Sequence, residues 1–209
     1  MQPRHVPLIL SSMAALLFWS ALIIIGELRP EYSQMTKAVS ELGVLGAPYA
    51  LAFNVLGFLL PGALLAVCGA KLSLSINPEK SSLWWLLTIY GVSYASTAIP
   101  AEMVDGSFDM DSVLTQAHLV MVVISGIVWI AAIFMIQAPI AAHHEWRQFK
   151  NATRTLSLMC FMLVLANPFS GLLPITASLG QRIAFAGVFL WFIMMSILVV
   201  LLKNKPSSE

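Results

Sequence analysis

Residues 113–136 read VLTQAHLVMVVISGIVWIAAIFMI and contain no Asp, Glu, Lys or Arg. A helix of about 20 apolar residues is long enough to cross the hydrocarbon core of a bilayer. Similar apolar runs lie on both sides, and together they give six predicted spans over residues 7–26, 49–70, 83–101, 113–136, 155–173 and 183–202. We therefore predict an all-α integral membrane protein, a six-transmembrane-helix bundle that forms a single domain over residues 1–209.

The composition argues against other classes of protein. Hydrophobic residues make up 59% of the chain and charged residues only 10%, whereas soluble domains contain about 25% charged residues. The formal net charge of +1 argues against a partner that is a nucleic acid. We expect the protein to reside in a cell membrane, specifically the inner (cytoplasmic) membrane of a bacterium.

The loop cations predict the orientation, because Lys and Arg are enriched in short cytoplasmic loops. One side of the predicted bundle carries eight of them: Arg4, Lys71, Lys80, Arg147, Lys150, Arg154, Lys203 and Lys205. The other side carries three: Arg29, Lys37 and Arg182. We therefore predict that the N-terminus and the C-terminus are both cytoplasmic. Most of the acidic residues then lie on the outer side.

The first outer loop, over residues 28–48, has the signals of a short surface helix from Met35 to Leu42. Ser33 is a plausible N-cap for it, and Gly43 a plausible stop. Lys37 and Glu41 are four residues apart and able to pair on one face. This helix would carry Ser40 and Glu41 over the outer end of the bundle.

The second outer loop joins the third and fourth spans and is rich in acids. Pro100 is expected to end or kink the third span, and Asp105-Gly106 is a turn signal. Asp109, Asp111 or Ser112 is suited to cap the fourth span. Glu102 and Asp105 remain as candidate ligand-binding residues.

Several polar residues fall inside the spans, all toward the predicted outer side. His118 lies about two turns into the fourth span, where an ionisable group is costly and points to a functional site; the alternative is a neutral histidine bonded to a neighbouring helix. Arg182 begins the sixth span, with snorkelling to the headgroups as its alternative role. Asn54 and Asn167 lie at similar depth. Their convergence predicts a polar cavity in the outer leaflet.

These motifs resemble an uncharacterised membrane family, domain of unknown function 998. The resemblance rests on Pro30-x-Tyr32-Ser33, on Val39-Ser40-Glu41-Leu42-Gly43 and Gly46-Ala47-Pro48, on Pro100 and His118, and on Gly180-Gln181-Arg182 leading to Trp191. Members typically have a Phe-Pro-x-Asp-like turn after the third span, where this chain has Ile99-Pro100-Ala101-Glu102. The resemblance therefore leaves open whether Glu102 or Asp105 fills the acidic role. It implies six spans and no established activity.

Two classes of function fit this residue set. The favoured one is non-catalytic: a module that binds a lipid-like ligand at the outer leaflet, or an accessory subunit that partners other membrane subunits. The ligand-binding residues would be Ser40, Asn54, Glu102, Asp105, Asn167 and Arg182. The alternative is a membrane-embedded hydrolase or transferase acting on a lipid, with Glu41 and His118 as catalytic residues and zinc as a cofactor under that alternative alone. The chain has no HExxH or HxxxH pattern that would decide for zinc chemistry.

Overall fold

The computed structural model describes residues 3–76, 81–169 and 176–202, and this part of the chain is mostly helical. Its long helices, numbered α1 to α6, are Val6–Glu27, Ala50–Ile76, Ser81–Ser96, Val113–Met135, Lys150–Leu165 and Ala177–Leu202. Short 3-10 helices cover Pro3–His5 and Val39–Gly43. Short α-helices at Gln137–Ala142 and His144–Arg147 join α4 to α5.

Four of the helices are long and apolar enough to cross a membrane, which indicates an integral membrane protein. They are α1, α2, α6 and the continuous stretch Val113–Ala142 that contains α4, with lengths of 22, 27, 26 and 30 residues. The other two, α3 and α5, have 16 described residues each. At 1.5 Å per residue each is about 24 Å long, shorter than the hydrocarbon core of about 30 Å.

The ends of α3 and α5 differ from the predicted spans 83–101 and 155–173. Helix α3 ends at Ser96 because the residue before Pro100 is disfavoured in a helical conformation. Helix α5 begins earlier, at Lys150, and ends at Leu165, so Pro168 follows the helix and does not bend it. Residues 170–173 of the predicted fifth span lie outside the described residues.

The helices form an incomplete ring. Helix α2 packs on α1 and α3, α3 on α4, α1 on α6 and α6 on α5. The contact between α4 and α5 is much sparser. We call this gap the α4–α5 seam.

Glycines show how tightly the other pairs pack. A Cβ at Gly62 of α2 or at Gly91 of α3 would collide with backbone of the facing helix at Ala95 or Ala66. On α6, a Cβ at Gly180 would press on the backbone at Ala166, directly after the end of α5. Small residues let membrane helices approach closely and gain van der Waals contact. The α2–α3 and α5–α6 pairs are therefore closely packed.

The beginning of α1 and the end of α6 lie at the same end of the bundle. The Ser11 hydroxyl is 3.4 Å from the Ser196 hydroxyl, and the Cys68 thiol donates to the carbonyl of Pro7. We call this the terminal end. The opposite end carries the first loop, residues 28–49, and the second, residues 97–112, and we call it the loop end.

The first loop forms turns and a 3-10 helix, so the predicted helix Met35–Leu42 is wrong. The Ser33 hydroxyl accepts from the Met35 N–H in a local turn and does not cap a helix. The Glu41 carboxylate accepts from the Ala38 N–H at 2.8 Å and closes the turn Val39–Gly43. The predicted ion pair is confirmed, with Lys37 Nζ 3.2 Å from Glu41 Oε2.

The second loop is a small hairpin with strands β1, Met103–Val104, and β2, Ser107–Phe108. The predicted turn at Asp105-Gly106 is confirmed, and both residues have positive φ, at 51° and 79°. This pair of angles fits the tight hairpin turn that favours Asp-Gly. Ser112 caps α4, since its hydroxyl accepts from the Thr115 N–H.

Candidate functional site: a cavity beneath the first loop

A cavity of about 120 Å³ lies between the helices beneath the first loop. Its walls come from α2 to α6, and Ser40 of the first loop also lines it. The lining side chains are mainly aromatic or polar: Ser40, Phe58, Tyr90, Tyr94, Thr97, His118, Ser125, Trp129, Asn167, Gln181 and Phe185, with Val122, Gly126, Val164, Ala184 and Val188.

His118 is the one histidine among these lining residues. It is buried, with 4% of its surface exposed. Its Nδ1 lies 3.0 Å from the carbonyl oxygen of Ile99. A carbonyl only accepts, so this contact requires the proton on Nδ1 and leaves Nε2 as an acceptor. The His118 ring also packs edge-to-face with the Phe58 ring, with the two centroids 6.4 Å apart. The histidine is therefore oriented by the backbone of Ile99 and Thr97, and no hydrogen bond of 3.5 Å or less joins Nε2 to a described residue.

A π-helical turn within α2 contains Phe58, which lines the cavity. Residues Asn54–Leu59 form a π-helical turn immediately before Pro61. Proline lacks the N–H that would bond to Gly57 of the preceding turn, and the Gly57 carbonyl accepts instead from the Tyr94 hydroxyl at 3.4 Å. Single π turns recur at functional sites, and this one joins α2 to α3 at the cavity.

Other polar groups in the lining have unused hydrogen-bonding capacity. The Ser40 hydroxyl, the Asn167 amide and the Tyr90 hydroxyl form no hydrogen bond with any described residue. The indole N–H of Trp129 is buried and has no partner within residues 3–76, 81–169 and 176–202. The Gln181 carbonyl oxygen accepts from the Val39 N–H at 2.8 Å, and its amide N–H groups remain free of described partners.

An unpaired N–H in an apolar interior costs about 1–3 kcal/mol. Such groups are normally satisfied by protein, water or a ligand. The cavity thus offers a set of donors around the acceptor nitrogen of His118.

Gly126 of α4 keeps the cavity open. A Cβ added there would meet no atom within 4 Å, in contrast to the glycines between α2 and α3. Gly126 of α4 and Val164 of α5 both line the cavity, so the cavity lies against the sparsely packed α4–α5 seam.

The cavity carries no fixed charge on its described lining, since no Asp, Glu, Lys or Arg belongs to it. In the described parts of the chain, no group of three His, Cys, Asp or Glu side chains is placed to hold a metal ion. The lining can therefore recognise a ligand through neutral hydrogen bonds, aromatic contact and apolar burial.

Arg182 holds the first loop over this cavity. Its guanidinium donates from Nε and Nη2 to Gln34 Oε1 at 3.1 and 3.0 Å, and from Nη2 to the Tyr32 hydroxyl at 2.6 Å. Nη1 donates to the carbonyls of Lys37 and Ser178 at 3.1 and 2.8 Å. Arginine has five N–H donors, and these five bonds use all of them. Within the described residues Arg182 forms no ion pair, so its charge is balanced by neutral acceptors alone.

The partners of Arg182 are themselves held in place. The Tyr32 hydroxyl donates to the Ala38 carbonyl at 3.2 Å, and the Gln34 amide donates to the Leu22 carbonyl at 2.9 Å. Burial raises the pKa of Tyr32 to about 12, against the opposing effect of the nearby Arg182 charge. The phenol therefore remains a neutral donor and acceptor at physiological pH.

The charged groups at the outer surface of the first loop pair with one another. Arg29 Nε lies 2.6 Å from Glu31 Oε1, and that hydrogen bond lowers the pKa of the exposed Glu31 carboxyl. Arg29 also donates to the backbone carbonyl of Glu41. Glu41 is thus engaged with Lys37 and the loop backbone and does not line the cavity.

The structure separates the predicted site residues into three groups. Ser40, His118 and Asn167 line the cavity. Asn54, Glu41 and Arg182 instead support the first loop; the Asn54 amide donates to the Gly43 carbonyl at 2.8 Å. A Cβ at Gly43 would collide with the same Asn54 side chain, so this glycine is needed for close approach.

Glu102 and Asp105 belong to the second loop and not to the cavity lining. The backbone N–H of Glu102 donates to the Thr115 hydroxyl at 2.9 Å, which ties the hairpin to α4. Asp105 is exposed at the tip of the turn. Neither residue contributes a side chain to the space around His118.

Sequence reasoning missed Gln181, Trp129 and the pair Tyr90 and Tyr94 as lining residues. The two tyrosines are four residues apart, and their spacing on one face of α3 was a usable signal. Trp129 stands in the middle of an apolar run, far from the interfacial positions where tryptophan is usually found.

Comparison with known proteins identifies a family. The family described as Protein of unknown function (DUF998) matches residues 12–202, which include most of α1, the other five long helices and both loops. No curated protein and no solved structure matches the chain. The chain belongs to the family Protein of unknown function (DUF998), as its loop motifs predicted.

Proposed function

We propose that this protein binds a neutral, lipid-like ligand in the cavity beneath the first loop. In this proposal all six helices span a bacterial cytoplasmic membrane, with both termini cytoplasmic and the loop end outside. The distribution of loop cations supports that orientation. The short α3 and α5 reach across with the help of the turns that follow them and local thinning of the bilayer.

The observation that carries the proposal is the set of unused polar groups in an uncharged, aromatic cavity. In this proposal His118 Nε2 would accept one hydrogen bond from the ligand, while Ser40, Asn167 and Gln181 would supply donors to it. An ester carbonyl or hydroxyl of a lipid would satisfy such groups. A free anion would be disfavoured, because the described lining contains no cation to offset its desolvation.

The size and opening of the cavity suit part of a lipid. A pocket for a whole drug-sized ligand has a volume of about 300–1,000 Å³, and this cavity has about 120 Å³. The ligand would place its polar linkage near His118 and extend its chain through the α4–α5 seam. Exposed apolar residues of α4, such as Val123, would contact that chain or the surrounding bilayer.

The test is to measure the lipids that stay bound through purification of the full chain in mild detergent. Gly126→Phe should fill the open space and reduce retention of a specific lipid at least fivefold. Ile127→Phe is the matched control, because residue 127 is 62% exposed and its substitution adds the same ring to the outer surface. Equal retention in both variants, or no retained lipid in wild type, would reject lipid binding and favour an accessory-subunit role.

A second function is favoured by one observation, that Ser40 and His118 line the same cavity. A histidine oriented by a carbonyl and a nearby serine resemble the base and nucleophile of an acyl hydrolase or transferase. The two side chains are not hydrogen-bonded to each other, so catalysis would require them to approach when a substrate binds. Labelling by a serine-reactive fluorophosphonate that is lost in both Ser40→Ala and His118→Gln would support this activity.

A further inference from the structure

A second pocket, of about 330 Å³, lies on the α4–α5 seam beside the short helix Gln137–Ala142. It is separate from the cavity around His118 and shares none of its lining residues. Its walls are Phe134, Gln137, Lys150, Arg154, Ser157 and Leu158. Because it joins the end of α4 to the beginning of α5, it lies toward the terminal end of the bundle.

Two cations in this pocket have no ion-pair partner among the described residues. Lys150 and Arg154 are four residues apart on α5, a spacing that brings like charges together and destabilises a helix. Neither side chain forms an ion pair or hydrogen bond with any other described residue. The pocket therefore concentrates positive charge that an anion would neutralise.

The floor beneath these cations is polar and held in one arrangement. The Gln137 amide donates to the Ser157 hydroxyl at 3.0 Å, and the Thr153 hydroxyl donates to Gln137 Oε1 at 3.3 Å. The Trp191 indole N–H also donates to the Ser157 hydroxyl, at 3.0 Å. Thr153, Ser157 and Trp191 are fully buried, so this network fixes how α5 presents its cations.

The remaining walls are apolar. Phe134 and Leu158 are 43% and 45% exposed, and the Phe134 ring packs against Phe161 with centroids 5.3 Å apart. A site for an anion beside exposed apolar surface, at the end of a membrane helix bundle, suits a phospholipid, because the phosphate of a phospholipid adjoins its acyl chains. Basic pockets of this kind between membrane helices bind lipid headgroups.

We propose that this second pocket binds the phosphate group of an anionic phospholipid. Arg154 donates from its planar guanidinium to two phosphate oxygens, as that geometry favours. Lys150 adds a second charge, and Gln137 lies on the side nearer to α4. The acyl chains run along Phe134 and Leu158.

The test uses the full chain in a neutral detergent with short-chain phosphatidylglycerol, short-chain phosphatidylcholine or inorganic phosphate. Phosphatidylglycerol should raise the thermal unfolding midpoint in a saturable way that weakens with salt, whereas phosphatidylcholine should not. Arg154→Gln and Lys150→Gln should each weaken the apparent Kd about tenfold, since each removes a charged hydrogen-bond donor. Stabilisation by inorganic phosphate alone would support the same phosphate site without a need for the lipid tail.

Arg147→Gln is the matched control, because Arg147 is exposed in the same connecting segment and lies outside the pocket lining. It should leave the apparent Kd within twofold of wild type. If Arg147→Gln and Arg154→Gln weaken the apparent Kd equally, the lipid is responding to general surface charge, and the proposed site is wrong. Equal stabilisation by the neutral and the anionic lipid would overturn it as well. If Arg154→Gln fails to fold, Lys150→Gln and the salt dependence of wild type decide.

Discussion

Replacement of Arg182 by Gln should release the first loop from the bundle. Three of the four groups that accept from the guanidinium belong to that loop: the Tyr32 hydroxyl, the Gln34 carbonyl oxygen and the Lys37 backbone carbonyl. Glutamine is too short to reach all of them and carries no charge. The released groups can bond to water, so the loss is limited to the free energy that docks the loop.

The size of the effect follows from the number of bonds lost. A hydrogen bond from a charged donor contributes about 1.5–3 kcal/mol. If two bonds to the loop are lost at the lower value, docking weakens by about 3 kcal/mol, and the open-loop population rises about a hundredfold. Arg182→Lys should fall between wild type and Arg182→Gln, because lysine keeps the charge and loses the planar fork.

Amide hydrogen exchange over residues 32–42 is the direct assay. Exchange there should become about a hundredfold faster in Arg182→Gln, while amides in the interior of α2 change little. Glu31→Gln provides a control at the same loop, since the Glu31 side chain is 58% exposed and exposed ion pairs contribute at most about 1 kcal/mol. Wild-type exchange rates in the Arg182→Gln loop would refute the role assigned to this residue.

Three further predictions concern the histidine, the topology and the loop tyrosine. His118→Gln should keep a near-wild-type melting point, since glutamine can still donate to a carbonyl. His118→Leu should lower the free energy of unfolding by about 1–3 kcal/mol. Zinc that is bound to wild type and lost in both variants would contradict this prediction and favour an enzyme. Cysteine placed at Lys37 should be labelled from outside the cell and cysteine at Arg147 should not, and the reverse pattern would overturn the orientation. Since burial raises the pKa of Tyr32 from 10 to about 12, its contribution to stability should be complete below pH 10 and be lost between pH 10 and 12. The measurement is the free energy of unfolding of wild type and Tyr32→Phe as a function of pH. The difference between the two proteins should shrink between pH 10 and 12, and a constant difference would contradict the prediction.

The sequence was sufficient to predict the helical membrane class, because the six apolar runs have few charges and are separated by polar loops. It also located the Asp105-Gly106 turn and the Lys37–Glu41 pair, which depend on residues close in the chain. It failed on the first loop, where a 3-10 turn replaces the predicted helix. The contacts that decide this loop come from Arg182 and Gln181, more than 140 residues away in the chain.

The same physical limit explains the candidate site. Depth in a span could be read from the sequence and led to His118 and Asn167, and the motif of the first loop led to Ser40; all three line the cavity. The direction in which a side chain points around its helix could not be predicted, because an apolar run has no clear polar face from which to infer it. Arg182 was therefore placed at the right depth, while its engagement with Tyr32 and Gln34 could not be foreseen.

The central claim is that the cavity around His118 holds a lipid-like ligand. The most direct measurement is an experimental structure of the full chain extracted with its native lipids. We predict elongated ligand density that enters through the α4–α5 seam, with a polar atom within hydrogen-bond distance of His118 Nε2. A cavity closed by repacked side chains, or one that contains only water while lipids are resolved elsewhere on the protein, would contradict the claim.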